Sequence, residues 1–151
     1  QSTGLLKGKI GTIHGDFILD NVLQTGDHFT AIDWRQSFGG LIDCGDVYYD
    51  LGKLNHSLTM NHSQLAAANF EVTFADEGVW IDVSRHHSLV ECEKILEEFC
   101  LAHGYRWEQV QAVTAIIWLN MSPLHRHPMD NLLYFFGRRQ LFRTLDTLTN
   151  D

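Results

Sequence analysis

"HGDFILDNVL", His14 to Leu23, places a histidine, an aspartate and an asparagine within eight positions, in a run otherwise built of apolar, sheet-forming side chains. Aspartate and asparagine favour turns because their side chains bond their own backbone, so Asp16 and Asn21 alone would read as loop residues. That reading does not account for the next acid. "FTAIDW" (Phe29 to Trp34) is a second strand-like run that ends by presenting Asp33, twelve residues after Asn21. "TGDH" (Thr25 to His28) between the two runs predicts the turn of a hairpin. Asp16, Asn21 and Asp33 are thus expected at the mouth of one hairpin, three oxygen-bearing side chains suited to a hard cation. Magnesium takes one or two protein oxygens and keeps its other positions for water and phosphate. Asn21 and Asp33 fit that role, which leaves Asp16 to accept a hydroxyl proton. In-line phosphoryl transfer from a nucleotide to an alcohol asks for this division of labour, because catalysis there is mostly positioning and charge neutralisation.

The flanks are read the same way. Short β-type runs, "GTIHG" (Gly11 to Gly15) and "NVLQ" (Asn21 to Gln24), bracket the motif. Downstream, "GDVYYDLGKLNHSL" reads as a helix with Asp46 and Asp50, four apart, on one face. Asp46 is expected to cap that helix and Asp50 to accept backbone amides of the catalytic loop. His14 is expected to brace the loop through hydrogen bonds, not to move protons. Arg35 is expected to be exposed or paired with an aspartate, the alternative being a contact to a substrate or phosphate oxygen. Beyond about Val83 the apolar residues fall at helical offsets: Leu89, Cys92, Ile95, Leu96, Phe99 and Cys100, then Val110, Val113, Ile116, Ile117 and Leu119. Ser88 with Glu91 is expected to cap the first of these helices and Gly104 to stop it, and a last helix is expected from about Met129 to Leu148.

Composition sets the outer bounds. The 151 residues, 44% hydrophobic, suit one domain with a real core. Eleven basic against nineteen acidic side chains give a net charge of −8, which disfavours nucleic acid as a partner. No apolar run approaches the roughly 20 residues that span a bilayer, and "QSTGLLKGKI" is not a signal peptide, so no membrane partner is expected and the chain reads as cytoplasmic. The three cysteines lack Cys-x-x-Cys spacing and suggest neither a disulfide framework nor zinc. Neither His86-His87 nor His125 and His127 has the i, i+4 spacing of a helical zinc site. Trp80, Trp107, Trp118, Tyr48, Tyr49 and Tyr134 include enough aromatic surface to wall an acceptor pocket, with core packing the expected job for most.

"HGDFILDN" followed by "IDW" resembles the catalytic loop and metal-binding segment of the aminoglycoside phosphotransferase and choline kinase family, which has the protein-kinase-like fold. "GDVYYDLGKL" is similar to the family's Gly-Asp-x-x-Tyr-Asp-Leu-Ala helix, with Asp50-Leu51-Gly52 in place of Asp-Leu-Ala. Carried over position by position, the resemblance makes Asp16 the catalytic residue and Asn21 and Asp33 the residues that bind magnesium and, through it, ATP. It covers roughly residues 10 to 56. It implies an α+β architecture, the mainly helical carboxy-terminal lobe of that fold with a small β-hairpin at the catalytic loop. On this reading residues 1–151 form a single domain, a catalytic segment at 10–56 and a helical part at 57–151.

Only thirteen residues precede His14, and Gly4, Gly8 and Gly11 do not form a phosphate-covering loop. The amino-terminal lobe that covers the nucleotide is therefore expected to be missing, the sequence being a fragment of a longer kinase. The function expected is transfer of phosphate from ATP, with magnesium, to a hydroxyl of a small molecule: a sugar, an amino alcohol or an aminoglycoside. Its alternative is a non-catalytic kinase-like binding module. Metal-dependent phosphoester hydrolysis ranks last, since it needs a second metal or a water-orienting base that the sequence does not present.

Overall fold

Gly26, at φ +59 in the computed structural model, closes the expected hairpin between β2 (Val22–Thr25) and β3 (His28–Ala31), whose register pairs Thr25 with His28 and Val22 with Ala31. A glycine with positive φ at the first loop position is the type II′ choice, whose twist matches that of the strands. The structure describes residues 7–67 and 69–150; Gly4, among the glycines weighed above, lies outside them.

The strands are shorter than their composition suggests. β1 is Ile10–Gly11 and pairs antiparallel with β4 (Gly45–Asp46), Gly11 opposite Gly45. The expected strand from Gly11 to Gly15 stops early because the amides of His14 and Gly15 are taken by the Asp50 carboxylate instead of a strand partner. Asn21 is not in a strand either: its N–H donates to the Ile18 carbonyl at 3.0 Å and closes a 3-10 turn, Leu19–Asn21, before β2.

Helices α1 (Val47–Thr59), α2 (His62–Ala66), α3 (His87–Ala102), α4 (Trp107–Met121) and α5 (Met129–Asn150) supply the rest of the α+β architecture, with one further hairpin. That hairpin, β5 (Phe70–Ala75) with β6 (Gly78–Val83), corrects the reading of 57–151 as helical. Its inward residues Phe70, Val72, Ile81 and Val83 pack on Met60, Trp118, Leu132 and Leu133, while Glu71, Thr73 and Trp80 face outward. The alternation is the ordinary pattern of a sheet with one buried face.

α3 starts one position before Ser88, with His86 at the cap and no side-chain bond there, so the expected Ser88–Glu91 cap does not form; Glu91 pairs with Lys94 at 2.8 Å. Its end is as expected. Gly104, at φ +72, follows the cap residue His103, and Tyr105 N–H returns to Cys100 O at 2.8 Å, a left-handed glycine stop. Tyr48, Leu58, Leu96, Cys100, Trp107 and Val110 form a core between α1, α3 and α4. Gly52 lets α1 approach α4 closely: a Cβ there would lie 2.7 Å from Val113 Cγ1. Among the described residues no helix is long and apolar enough to cross a membrane.

Candidate active site

One face of α1 organises the loop that carries the motif. Asp46, Asp50, Lys53 and Ser57 recur at spacings of four, three and four, so they form one stripe along the helix. Each meets the segment before it in turn. Asp46 Oδ1 accepts from Lys9 N at 3.0 Å and caps the helix by accepting from Tyr48 N at 3.1 Å. Asp50 accepts from His14 N at 2.5 Å and Gly15 N at 2.8 Å. Lys53 Nζ lies 2.7 Å from Asp16 Oδ1, and Ser57 Oγ accepts from Leu19 N at 3.2 Å. The structural roles expected of Asp46 and Asp50 are both observed. A carboxylate accepting two amides replaces the strand ladder that the loop gives up, so few backbone donors there go unpaired.

His14 is buried and bridges the two arms of the site. Its Nδ1 accepts from Asp16 N at 3.2 Å, which leaves Nε2–H to donate to the Ile32 carbonyl at 2.7 Å. With both ring nitrogens committed to backbone, it braces the loop as expected. Trp34 packs on its ring, centroids 4.7 Å apart, and Arg35 N–H donates to His14 O at 2.9 Å. Gly15, at φ +81, has to be glycine: a Cβ would come within 2.6 Å of Arg35 Cβ.

Asn21 Nδ2 donates to the Asp16 carbonyl at 2.8 Å, so the amide nitrogen is used inside the loop and the carboxamide oxygen is the atom left to meet a cation. Ile32 N–H donates to Asn21 O at 2.9 Å and extends the β2–β3 ladder up to Asp33. Asp33 then leaves the strand at φ +60, a left-handed conformation in which an L-residue is strained, and its side chain is exposed. The structure therefore brings the segments of Asp16, Asn21 and Asp33 together through direct hydrogen bonds. Two oxygens of the carboxamide and carboxylate type are the donor set magnesium prefers.

Asp16 is mostly buried and carries two cations. Besides Lys53, Arg35 Nη2 approaches its other oxygen, Oδ2, at 3.4 Å, the aspartate pairing expected of that arginine. Burial pushes the Asp16 pKa up, but the hydrogen bond and charge of Lys53, helped by Arg35, outweigh it and leave the carboxyl below its ordinary value. Lys53 was missed in the sequence; its signal was the offset of three from Asp50, which puts it on the loop-facing stripe.

Beside Asp16, α1 and the end of α4 enclose a cleft of about 390 Å³ that includes Lys53, Tyr49, His56 and Asn120. Of the six aromatic residues weighed in the sequence, Tyr49 lines this cleft. Trp107, Trp118 and Tyr48 are buried in the core, while Trp80 and Tyr134 are exposed.

Among known families, a model described as the phosphotransferase enzyme family matches residues 3–80, just over half of the chain, including the motif loop, the β2–β3 hairpin and α1. No curated protein and no solved structure gives a significant match.

Proposed function

The chain belongs to the phosphotransferase enzyme family, and from that premise we propose that it is the catalytic, carboxy-terminal lobe of a magnesium-dependent kinase that moves the γ-phosphoryl group of ATP to a hydroxyl of a small molecule. The observation that supports this reading best is the arrangement around Asn21. Its amide nitrogen is spent on the Asp16 carbonyl and its own carbonyl on Ile32, which ties Asn21 to the Asp16 loop on one side and to the residue before Asp33 on the other and leaves its carboxamide oxygen uncommitted to either bond. Asn21 and Asp33 would hold the metal, which when bound neutralises charge on the nucleotide's phosphates. Asp16 faces the acceptor. The hydroxyl oxygen forms a bond to the γ-phosphorus, the bond to the β-phosphate oxygen breaks and ADP leaves, and the hydroxyl proton passes to Asp16. Lys53 and Arg35 keep Asp16 ionised until that moment. In this proposal a catalytic segment at 10–56 is backed by helices and one hairpin at 57–151, and a further lobe covers the nucleotide. Exposed Ile10, Phe29, Trp34 and Ile42 on the site-bearing segment support a covering of this kind.

The two cations on Asp16 are the specific observation in favour of the second reading, a kinase-like module that binds but does not transfer, because a carboxylate so paired is a weakened base. Metal dependence separates the two. In the full-length protein, Asp33→Ala should remove the magnesium dependence of nucleotide binding and lower turnover by several orders of magnitude. Equal turnover by Asp33→Ala and the parent would reject the kinase assignment of these residues.

A further inference from the structure

Arg35 is fixed by its backbone and stem, while its charged head is hardly engaged. Its N–H donates to His14 O at 2.9 Å. Its Cβ and Cγ lie over Gly15, where φ is +81 and an added Cβ would come within 2.6 and 2.8 Å of them. The side chain is 63% exposed, and its Nη2 approaches Asp16 Oδ2 at 3.4 Å. A pair so long and so open to water adds little to stability. Nor does Asp16 depend on it for neutralisation, since Lys53, 13% exposed, already lies 2.7 Å from Oδ1. An arginine presents a planar fork of donors, and most of that fork has no bond among the described residues.

The place of the head is the second observation. Arg35 borders both the cleft of about 390 Å³ beside Asp16 and a hollow of about 180 Å³ formed with Trp34 and Phe38, so there is open space around it. Lys53 holds Oδ1, so an acceptor hydroxyl would meet Asp16 at Oδ2, the oxygen that Arg35 attends. Proton transfer needs those two oxygens within about 2.6–3.2 Å. The acceptor oxygen bonds to the γ-phosphorus as the bond to the β-phosphate oxygen breaks, ADP leaves and the proton passes to Asp16. The phosphoryl oxygens then sit just beyond the hydroxyl contact, where a guanidinium already beside the same carboxylate oxygen reaches them by turning about its outer bonds. Offsetting charge on those oxygens is the main task of a phosphoryl-transfer site. In a chain of net charge −8, Arg35 is the cation of the cleft wall whose head is not held: Lys53 is buried against Asp16, and His62 is paired with Asp20 at 2.8 Å.

We propose that Arg35 leaves Asp16 for the transferring phosphoryl group and offsets the charge that builds on its oxygens. The inference rests on the reading of Asp16 as the acceptor-side base of a kinase. The resting pair with Asp16 keeps the guanidinium beside the reaction path, and only Lys53 is left on the carboxylate when the proton arrives.

The test uses the full-length protein with magnesium and compares calorimetric titrations by ATP, by ADP, and by ADP with aluminium fluoride, which copies the phosphoryl group in transit, water standing in for the acceptor. In the parent, aluminium fluoride should tighten ADP binding. Arg35→Gln keeps the Cβ and Cγ that lie over Gly15 and removes the charge. Verified by thermal melting to be folded, it should lose affinity for the fluoride complex about a hundredfold and for ATP less than about threefold. Arg35→Lys keeps a charge without the fork and should lose about tenfold for the fluoride complex, a comparison that carries the test alone if Arg35→Gln does not fold. Fluoride-complex affinity that is unchanged in the folded variant, or a loss for ATP of the same size, overturns the inference and leaves the kinase reading standing. A parent whose ADP binding does not respond to aluminium fluoride overturns the kinase reading and this inference with it.

Discussion

Lys53 lowers the pKa of Asp16, which a pH profile would read if Asp16 is the proposed base. Because Asp16 titrates below its ordinary value in the folded chain, the ion pair contributes stability above the unfolded pKa and loses it as pH falls through the lowered one. Lys53→Met removes the larger of the two cationic influences and leaves the burial, so the Asp16 pKa should rise. The acid limb of kcat/KM for the full-length enzyme should then move to higher pH, while the alkaline side stays put. An unmoved acid limb would show that Asp16 is not the group whose ionisation it reports. His14 makes a contrasting case. Both its nitrogens serve backbone groups, so His14→Ala should act through stability and loop order. The roles of Asp46, Asp50 and His14 were legible because each follows from residue type and helical offset. That of Lys53 was not, since a lysine on a helix says nothing of its partner until the loop opposite is placed.

At the scale of elements, α1 is the part that turns a sequence motif into a site. Its stripe of Asp46, Asp50, Lys53 and Ser57 holds Lys9, His14, Gly15, Asp16 and Leu19 in order. Asp50→Ala would strand two loop amides at once, and charge-assisted bonds of this kind are worth about 1.5–3 kcal/mol. A fall in unfolding free energy of that order, with added hydrogen exchange confined to the loop, is expected; wild-type stability would refute the anchoring role. The seam behind the stripe explains a departure from the family pattern, glycine at Gly52 where Asp-Leu-Ala has alanine. Val113 fills the room a methyl group would need. Gly52→Ala should therefore cost about 1–3 kcal/mol from overpacking, measured by denaturant unfolding, and Val113→Ala in the same chain should recover part of it. Additive losses in the double variant would contradict the contact. The β5–β6 hairpin was in the sequence too, as the alternation of "FEVTFADEGVWIDV", yet short apolar alternation competes with the strong helical spacing on either side of it. Likewise "GTIHG" has strand composition, but the Asp50 carboxylate takes the amides a strand would have paired.

For the whole molecule, the β2–β3 hairpin, the motif loop and the α1 stripe form one unit that α4 backs from behind, and α5 packs in turn on α4. The exposed apolar side chains of the site-bearing segment, Ile10, Phe29, Trp34 and Ile42, are expected to drive self-association of the 151-residue chain when nothing covers them. Light scattering should show dimers or larger species, and a monodisperse monomer at high concentration would argue against a covering lobe. The proposed reaction turns on Asp16 accepting the proton of a hydroxyl that attacks ATP. Its most direct test follows ATP and the phosphorylated acceptor by phosphorus NMR in the full-length protein with magnesium, for the parent and for Asp16→Asn, which keeps the shape of the side chain and removes its basicity. In Asp16→Asn kcat should fall by a factor of about 10² to 10⁴ with nucleotide affinity nearly unchanged. An Asp16→Asn variant that keeps its kcat but binds ATP tenfold more weakly would contradict it, and would make Asp16 a ligand of the metal or the nucleotide.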